Sequence, residues 1–259
     1  MTEVKVIFED KNLLVLNKPA GMTVNRSDTT KDEETLQDWV EEYLKIPNSE
    51  SQIPNKPKIQ NNNYEEQSKL NFITRAGIVH RLDKETSGII LAAKTHEAFI
   101  NLQSQFKERK VQKTYIALTH GKIEPEIGEI NVAVGRLPWN RKRFGVLSGG
   151  RESVTDYKVL GIKHFVSGKE KEPLSLVELH PKTGRTHQIR VHLQYIKHPI
   201  FADSLYAGRK TSRNDRKLLS RIFLHASKIS FFHPGANEML SFESPLPTDL
   251  SQFLSTLAS

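Results

Sequence analysis

Three stretches of this chain concentrate side chains able to do chemistry. The first is His80-Arg81-Leu82-Asp83-Lys84-Glu85-Thr86-Ser87-Gly88, which sets an aspartate among cations and hydroxyls between apolar runs. A carboxylate in such a turn either caps backbone N–H groups or serves as a nucleophile or electrostatic partner. The second stretch is Thr183-Gly184-Arg185-Thr186-His187-Gln188-Ile189-Arg190, with an arginine just ahead of a predicted helix start. A guanidinium there can pair with a carboxylate through two hydrogen bonds and keep it ionised, lowering an aspartate pKa by about 1–3. It can equally bind phosphate or close a structural ion pair. The third is Lys113-Thr114-Tyr115-Ile116-Ala117-Leu118. Strand alternation sets Tyr115 opposite Ile116 and Leu118, so if those two face the core, Tyr115 faces a surface or a cleft. An aromatic ring there stacks on a nucleobase for roughly 1–3 kcal/mol, or packs with its hydroxyl at the rim.

These stretches need elements to hold them. Val4, Val6 and Phe8 alternate with polar residues, Glu9-Asp10-Lys11-Asn12 supply a turn, and Leu13-Leu14-Val15-Leu16 return as a buried strand. Pro19-Ala20-Gly21 forces a bend, and Glu33 to Ile46 reads as a helix with Leu36, Val40, Tyr43 and Leu44 on one face. Residues 47–71 carry Pro54, Pro57, Asn61-Asn62-Asn63 and few apolar side chains, the composition of a mobile polar insertion. Ile89 to Ala93 reads as a buried strand, and Thr95 caps a helix whose inner face carries Phe99, Leu102 and Phe106. A helix is expected from Thr186, with Ile189, Leu193 and Ile196 inward. Two basic clusters stand out: Arg136, Trp139, Arg141, Lys142, Arg143, Phe144 and Arg151; then Arg209, Lys210, Arg213, Arg216, Lys217 and Arg221. Strands outnumber helices and often follow one another, which predicts an α+β architecture.

Bulk properties narrow the function. With 37% hydrophobic and 26% charged residues over 259 positions, the chain can bury a core and is not disordered. No apolar run approaches the roughly 20 residues of a membrane-spanning helix, and the first residues lack the apolar stretch and small-residue cleavage site expected of a signal peptide. The absence of cysteine excludes disulfides and thiolate metal sites, and a cytoplasmic location is expected. The net charge of +8 suits a polyanionic partner, because phosphate neutralisation dominates nucleic-acid affinity. His180, His187 and His192 lie close in sequence, but His187 and His192 fall about 140° apart on a helix and no carboxylates accompany them. No metal site is expected.

Taken together and in order, these segments resemble the RluA-type family of pseudouridine synthases, which modify ribosomal or transfer RNA. The resemblance runs from Glu9-Asp10 and Leu16-Asn17-Lys18-Pro19-Ala20-Gly21 through the three stretches above. It ends at Leu224-His225-Ala226 and Phe232-His233-Pro234. It implies a large, mostly antiparallel mixed sheet flanked by helices, with a central RNA-binding cleft. One catalytic domain over residues 1–259 is expected, acting as a monomer without an obligatory protein partner. An N-terminal S4-type domain, present in several members of the family, is not expected because the chain starts directly at the catalytic region. Asp83 becomes the carboxylate placed at the uridine C1′, as nucleophile or electrostatic partner. Tyr115 stacks on the flipped base, Arg185 pairs with Asp83, and Arg81 braces the gap left by the extruded nucleotide. Arg141 and Arg143, with the rest of their loop and the second basic cluster, are expected on RNA phosphates. The reaction needs no redox change, group donor or activated water, so no cofactor or metal is implied. Two positions depart from the family pattern: Val24-Asn25-Arg26 replaces a Val-His-Pro-like sequence, and Ala202-Asp203 replaces a Gly-Asp pair. The rival reading, a non-catalytic RNA-binding or ribosome-assembly factor of the same fold, would have a replaced aspartate, whereas Asp83 is present.

Overall fold

Asp10 closes the first turn of the chain. In the computed structural model, which describes residues 3–27, 33–45, 64–167 and 170–258, its Oδ1 accepts from the backbone of Asn12 at 2.7 Å and of Leu13 at 2.8 Å. This aspartate turn joins β1 (Lys5–Glu9) to β2 (Leu13–Lys18) in an antiparallel hairpin. Leu13 to Leu16 are fully buried, as their continuous apolar run predicts. β2 pairs in turn with β3 (Ser87–Ala93), all of whose residues are buried. The other carboxylate oxygen of Asp10 lies 2.7 Å from His233 Nε2, so the first and last motifs of the resemblance meet in one pair.

The chain divides into two compact units. The first comprises Met1–Lys84, Gly88–Val111 and Ser230–Phe242; the second comprises Glu85–Ser87, Gln112–Ile229 and Glu243–Ser259. The segments of the two units alternate along the chain. In the first, α1 (Leu36–Tyr43) is shorter than expected because Thr35 and Asp38 form a capping box that sets its start. Leu36 and Val40 are buried, but Tyr43 is not, since the last turn stands at the surface. Its ring stacks on Trp39 at 4.8 Å and its hydroxyl donates to Glu9 at 2.8 Å. The polar insertion also needs correction. Residues 64–71 belong to α2 (Tyr64–Thr74), which Phe72 docks edge-on against Phe99 at 5.6 Å; residues 47–63 lie outside the described residues. Phe99 sits on α3 (His96–Lys107), which Thr95 caps by accepting from Ala98 at 3.2 Å. Phe99 and Leu102 are buried on its inner face as expected, and Phe106 is half-buried.

In the second unit β4 (Gln112–His120), β9 (Glu170–Pro181), β8 (Val154–Ser167) and β5 (Ile127–Asn131) pair antiparallel in that order. The start of β10 (Leu224–Phe232) lies beside β4; its last residues belong to the first unit, with most of β11 (Met239–Glu243). A short hairpin, β6 (Val134–Arg136) and β7 (Phe144–Val146), carries the first basic cluster. Two helices, α4 (Gln188–Tyr195) and α6 (Thr248–Ser255), give Ile189, Leu193, Leu250 and Phe253 to a core shared with Leu118, Val177 and Leu179. Between them comes α5 (Arg209–Asp215). The fold is α+β, and none of the described helices is long and apolar enough to cross a membrane.

His192 on α4 gives the second unit an acid-sensitive point. It is fully buried, and among the described residues neither ring nitrogen reaches a partner at hydrogen-bond distance and angle. Burial pushes its pKa down from 6.5 to about 4, offset only in part by the backbone of Val132. The unfolded chain thus binds a proton near pH 6.5 that the folded chain refuses until about 4. Stability is complete above the higher value and falls as pH drops toward the lower, by up to about 3 kcal/mol. His192→Leu is expected to flatten this acid limb in denaturant melts between pH 7 and 4.5; an unchanged limb would remove His192 as its cause.

Candidate active site

In the first unit the loop bearing Asp83 is held from below. Gly77 enters it at φ +72, its carbonyl accepts from Ala93 at 2.8 Å, and Ile78 bridges Ala92. His80 Nε2 accepts from the Leu91 amide at 3.0 Å, which places the neutral ring's proton on Nδ1, and the ring lies 4.9 Å from Phe106. Leu82 is 4% exposed and anchors the loop; Arg81 points to solvent and Asp83 is half-buried. A buried ammonium ties the next peptide. Lys18, wholly inaccessible, donates to the carbonyls of Pro19 and Met22 at 2.8 Å and of Lys84 at 3.3 Å. The Gly21 amide meets the Lys84 carbonyl at 2.8 Å as well. The Pro19-Ala20-Gly21 bend and the Asp83 loop are therefore fastened to one cation. Lys18 was not a candidate in the sequence, where it looks like any lysine beside a proline.

In the second unit Tyr115 stands on β4 opposite Leu179, half-buried at the margin of the core. Ile116 on the other face is also only half-buried, so the alternation is less clean than expected. Lys113, two residues before Tyr115, sends its ammonium to the Thr183 carbonyl at 3.2 Å. Burial lowers its pKa to about 8. This bond joins the tyrosine strand to the turn that carries Arg185. Arg185 itself is half-buried and donates from Nε to the Glu152 carbonyl at 3.1 Å. Asp83 belongs to the first unit and Arg185 to the second.

The rest of the Thr183–Arg190 stretch is internal framework. Gln188 Oε1 accepts from the Thr183 hydroxyl at 2.7 Å and the Arg185 amide at 2.9 Å, while its amide donates to Val154 and Thr155, both at 3.0 Å. That network keeps Thr186 and His187 out of the helix. His187 takes φ +56 and α4 begins at Gln188, two residues later than expected. Arg190 forms a two-pronged pair with buried Asp203 at 2.8 Å on each arm, and Asp203 also caps the amides of Leu205 and Tyr206. The Tyr206 hydroxyl accepts from the Phe144 amide at 3.0 Å and lies 2.9 Å from His187 Nδ1. Tyr206 thereby roots the basic hairpin. On that hairpin Arg143 is half-buried over the Tyr206 ring at 5.2 Å, Arg136 covers Phe144 at 5.0 Å, and Arg141 and Trp139 are exposed. Of the two arginines expected on RNA, Arg141 is exposed and Arg143 is half-buried.

The model of the RNA pseudouridylate synthase family matches residues 12–195, which include all three chemistry-bearing stretches. The chain belongs to that family. As a member it is an RNA pseudouridine synthase, an isomerase by class. It is 35% identical to an uncharacterised RNA pseudouridine synthase of Bacillus subtilis, over 98% of this chain and 72% of that one. It is 36% identical to the ribosomal large subunit pseudouridine synthase D of Neisseria meningitidis, over 97% of this chain but only 60% of the relative. Among solved structures, the human RNA pseudouridylate synthase domain containing 1 covers 99% of this chain, and this chain covers 88% of it, at 27% identity and a TM-score of 0.69.

The second basic cluster of this synthase is not uniformly available to RNA. Arg209, Lys210, Arg213 and Lys217 are exposed. Arg216 instead donates to the Ala202 carbonyl at 2.7 Å and the Ser220 carbonyl at 2.5 Å, and grips the Glu85 carboxylate at 2.6 and 3.0 Å. Arg221, 8% exposed, pairs with Asp249 at 2.5 and 3.0 Å. Burial alone would raise the Asp249 pKa, but the Arg221 guanidinium outweighs it and holds the carboxyl low. Beside them Asp215 Oδ2 takes His120 Nε2 at 3.0 Å and the Ala202 amide at 3.0 Å. Both backbone polar groups of Ala202 are thus held while it sits at φ +61. A left-handed backbone is where glycine is least strained, so the Gly-Asp pair that the resemblance leads one to expect would suit this position.

Proposed function

We propose that this synthase converts uridine to pseudouridine in structured RNA, ribosomal or transfer, with Asp83 as its catalytic carboxylate. The supporting observation is the fastened loop: a half-buried aspartate follows a buried leucine and precedes a carbonyl held by Lys18. Such rigidity suits a group that must meet one carbon of a flipped nucleotide. Asp83 acts at C1′ as the N1–C1′ bond breaks; the uracil turns, C5 bonds to C1′, the C5 proton leaves and N1 gains one, so composition is unchanged. Tyr115 stacks on the uracil, Arg185 supports the ionised carboxylate, and Arg81 fills the vacated stack. Arg141 and Arg143 meet phosphate, with exposed Trp139 at the same hairpin offering a stacking face. The name of the Neisseria relative makes ribosomal RNA the first substrate to test. The protein acts as a cytoplasmic monomer without an obligatory partner.

The test is tritium release from 5-tritiated uridine in ribosomal and transfer RNA from cells lacking the gene. Release stoichiometric with one or a few sites is expected. Binding to these RNAs without any release would favour the non-catalytic factor instead.

A further inference from the structure

The peptide that follows Asp83 is gripped at consecutive residues. Within the first unit the Lys84 carbonyl receives the Gly21 amide and the Lys18 ammonium. Within the second, the Glu85 carboxylate lies in the fork of Arg216, and the Glu85 carbonyl accepts from Arg221 at 3.3 Å. Ser87 then bonds buried His225 Nδ1 at 2.9 Å, and His225 Nε2 donates to the Ser244 carbonyl at 3.0 Å. Neither arginine is held by Glu85 alone. Arg216 is fixed by the Ala202 and Ser220 carbonyls, and Arg221 by Asp249. A guanidinium whose other N–H groups are already directed cannot swing away, so its fork transmits position rather than charge alone.

We infer that Arg216 and Arg221 are positioning residues for catalysis: by holding Glu85 they fix the backbone that carries Asp83, and they do not bind RNA. This rests on Asp83 being the catalytic carboxylate. It reassigns two members of a cluster whose charge suggests phosphate contact. The two roles differ in what they predict. Loss of a phosphate ligand weakens binding and lowers the salt dependence of affinity by about one ion, leaving turnover intact. Loss of a positioning group misplaces a reacting atom, and a shift near 1 Å can cost roughly 100-fold in rate.

The experiment compares wild type, Arg216→Met, Arg216→Lys, Glu85→Gln, the Arg216→Met/Glu85→Gln double variant and Asp83→Asn. Single-turnover tritium release and RNA affinity at two salt concentrations are measured on protein shown to be folded by a cooperative melt. The expected result is a roughly 10- to 100-fold fall in rate for Arg216→Met and Glu85→Gln, with unchanged affinity and salt dependence. The double variant should be no slower than the worse single one, because both remove the same contact. Arg216→Lys keeps the charge without the fork and should be slowed too; it carries the test if the methionine variant does not fold. Full-rate release by these variants, or a weakened affinity at full rate, overturns the inference. Equal release by wild type and Asp83→Asn instead overturns the catalytic assignment on which it rests.

Discussion

Asp83→Asn is expected to fold, to bind RNA as wild type does, and to release tritium more slowly by about 10⁴-fold or beyond. Asparagine matches aspartate in shape, so Leu82, Lys18 and the Lys84 carbonyl keep the loop in place. What it lacks is charge and a nucleophilic oxygen. A sugar losing its base develops positive charge at C1′, and an amide neither neutralises that charge nor bonds to the carbon. Because Asp83 is half-buried and not in the core, its substitution should move the melting temperature by only a degree or two. Chemistry and stability are thereby separated in one variant. A rate within tenfold of wild type would mean that another group carries the reaction.

Gly77→Ala is expected to produce the opposite pattern, lost stability with no change in any reacting group. Gly77 has φ +72, and a β-carbon there would overlap the Ala93 carbonyl oxygen and press on Phe72. Relief requires moving backbone, because the obstacle is a carbonyl and not a flexible side-chain tip. Either movement breaks the Ala93-to-Gly77 hydrogen bond of 2.8 Å and the bridge from Ile78 to Ala92, through which the Asp83 loop leaves the sheet. A left-handed alanine costs about 1 kcal/mol by itself, and the collision brings the total to about 3–5 kcal/mol. A fall of roughly 10 °C in the melting temperature should follow. Gly161→Ala is the control: its β-carbon meets none of the described residues within 4 Å, and it should melt close to wild type. Similar melting of both variants would show that the close approach at Gly77 relaxes easily.

Much of the fold was legible because its signals are local. The Asp10 turn, the buried Leu13 to Leu16 run and the Thr95 cap are decided within a few residues. Tyr64–Thr74 was not legible as a helix, since its composition is polar and its stability comes from Phe72 packing on Phe99, a residue far along the chain. Tyr43 has the right spacing for an inner face, yet spacing does not tell where the core ends. At the site, residue types marked the correct stretches but not who holds whom. Gln188 and Arg190 sit in a stretch that looks catalytic and serve Val154, Thr155 and Asp203. Arg216 and Arg221 show their charge in the sequence and conceal Glu85 and Asp249. Lys18 gives no sign that its ammonium is enclosed by carbonyls. Partners distant in sequence decide the cases of Gln188, Arg190, Arg216 and Arg221, while Lys18 gathers two nearby carbonyls and the distant one of Lys84; composition carries no record of any of them.

The chain has two tryptophans, and each unit contains one of them. Trp39 is stacked on Tyr43 in the first; Trp139 stands 76% exposed on the basic hairpin of the second. The protein therefore carries its own pair of optical reporters. With Trp39 replaced by phenylalanine, emission would report only the hairpin and its quenching by nucleobases; with Trp139 replaced, it would report only the melting of the first unit. Docking and unfolding could then be timed separately, without an attached dye.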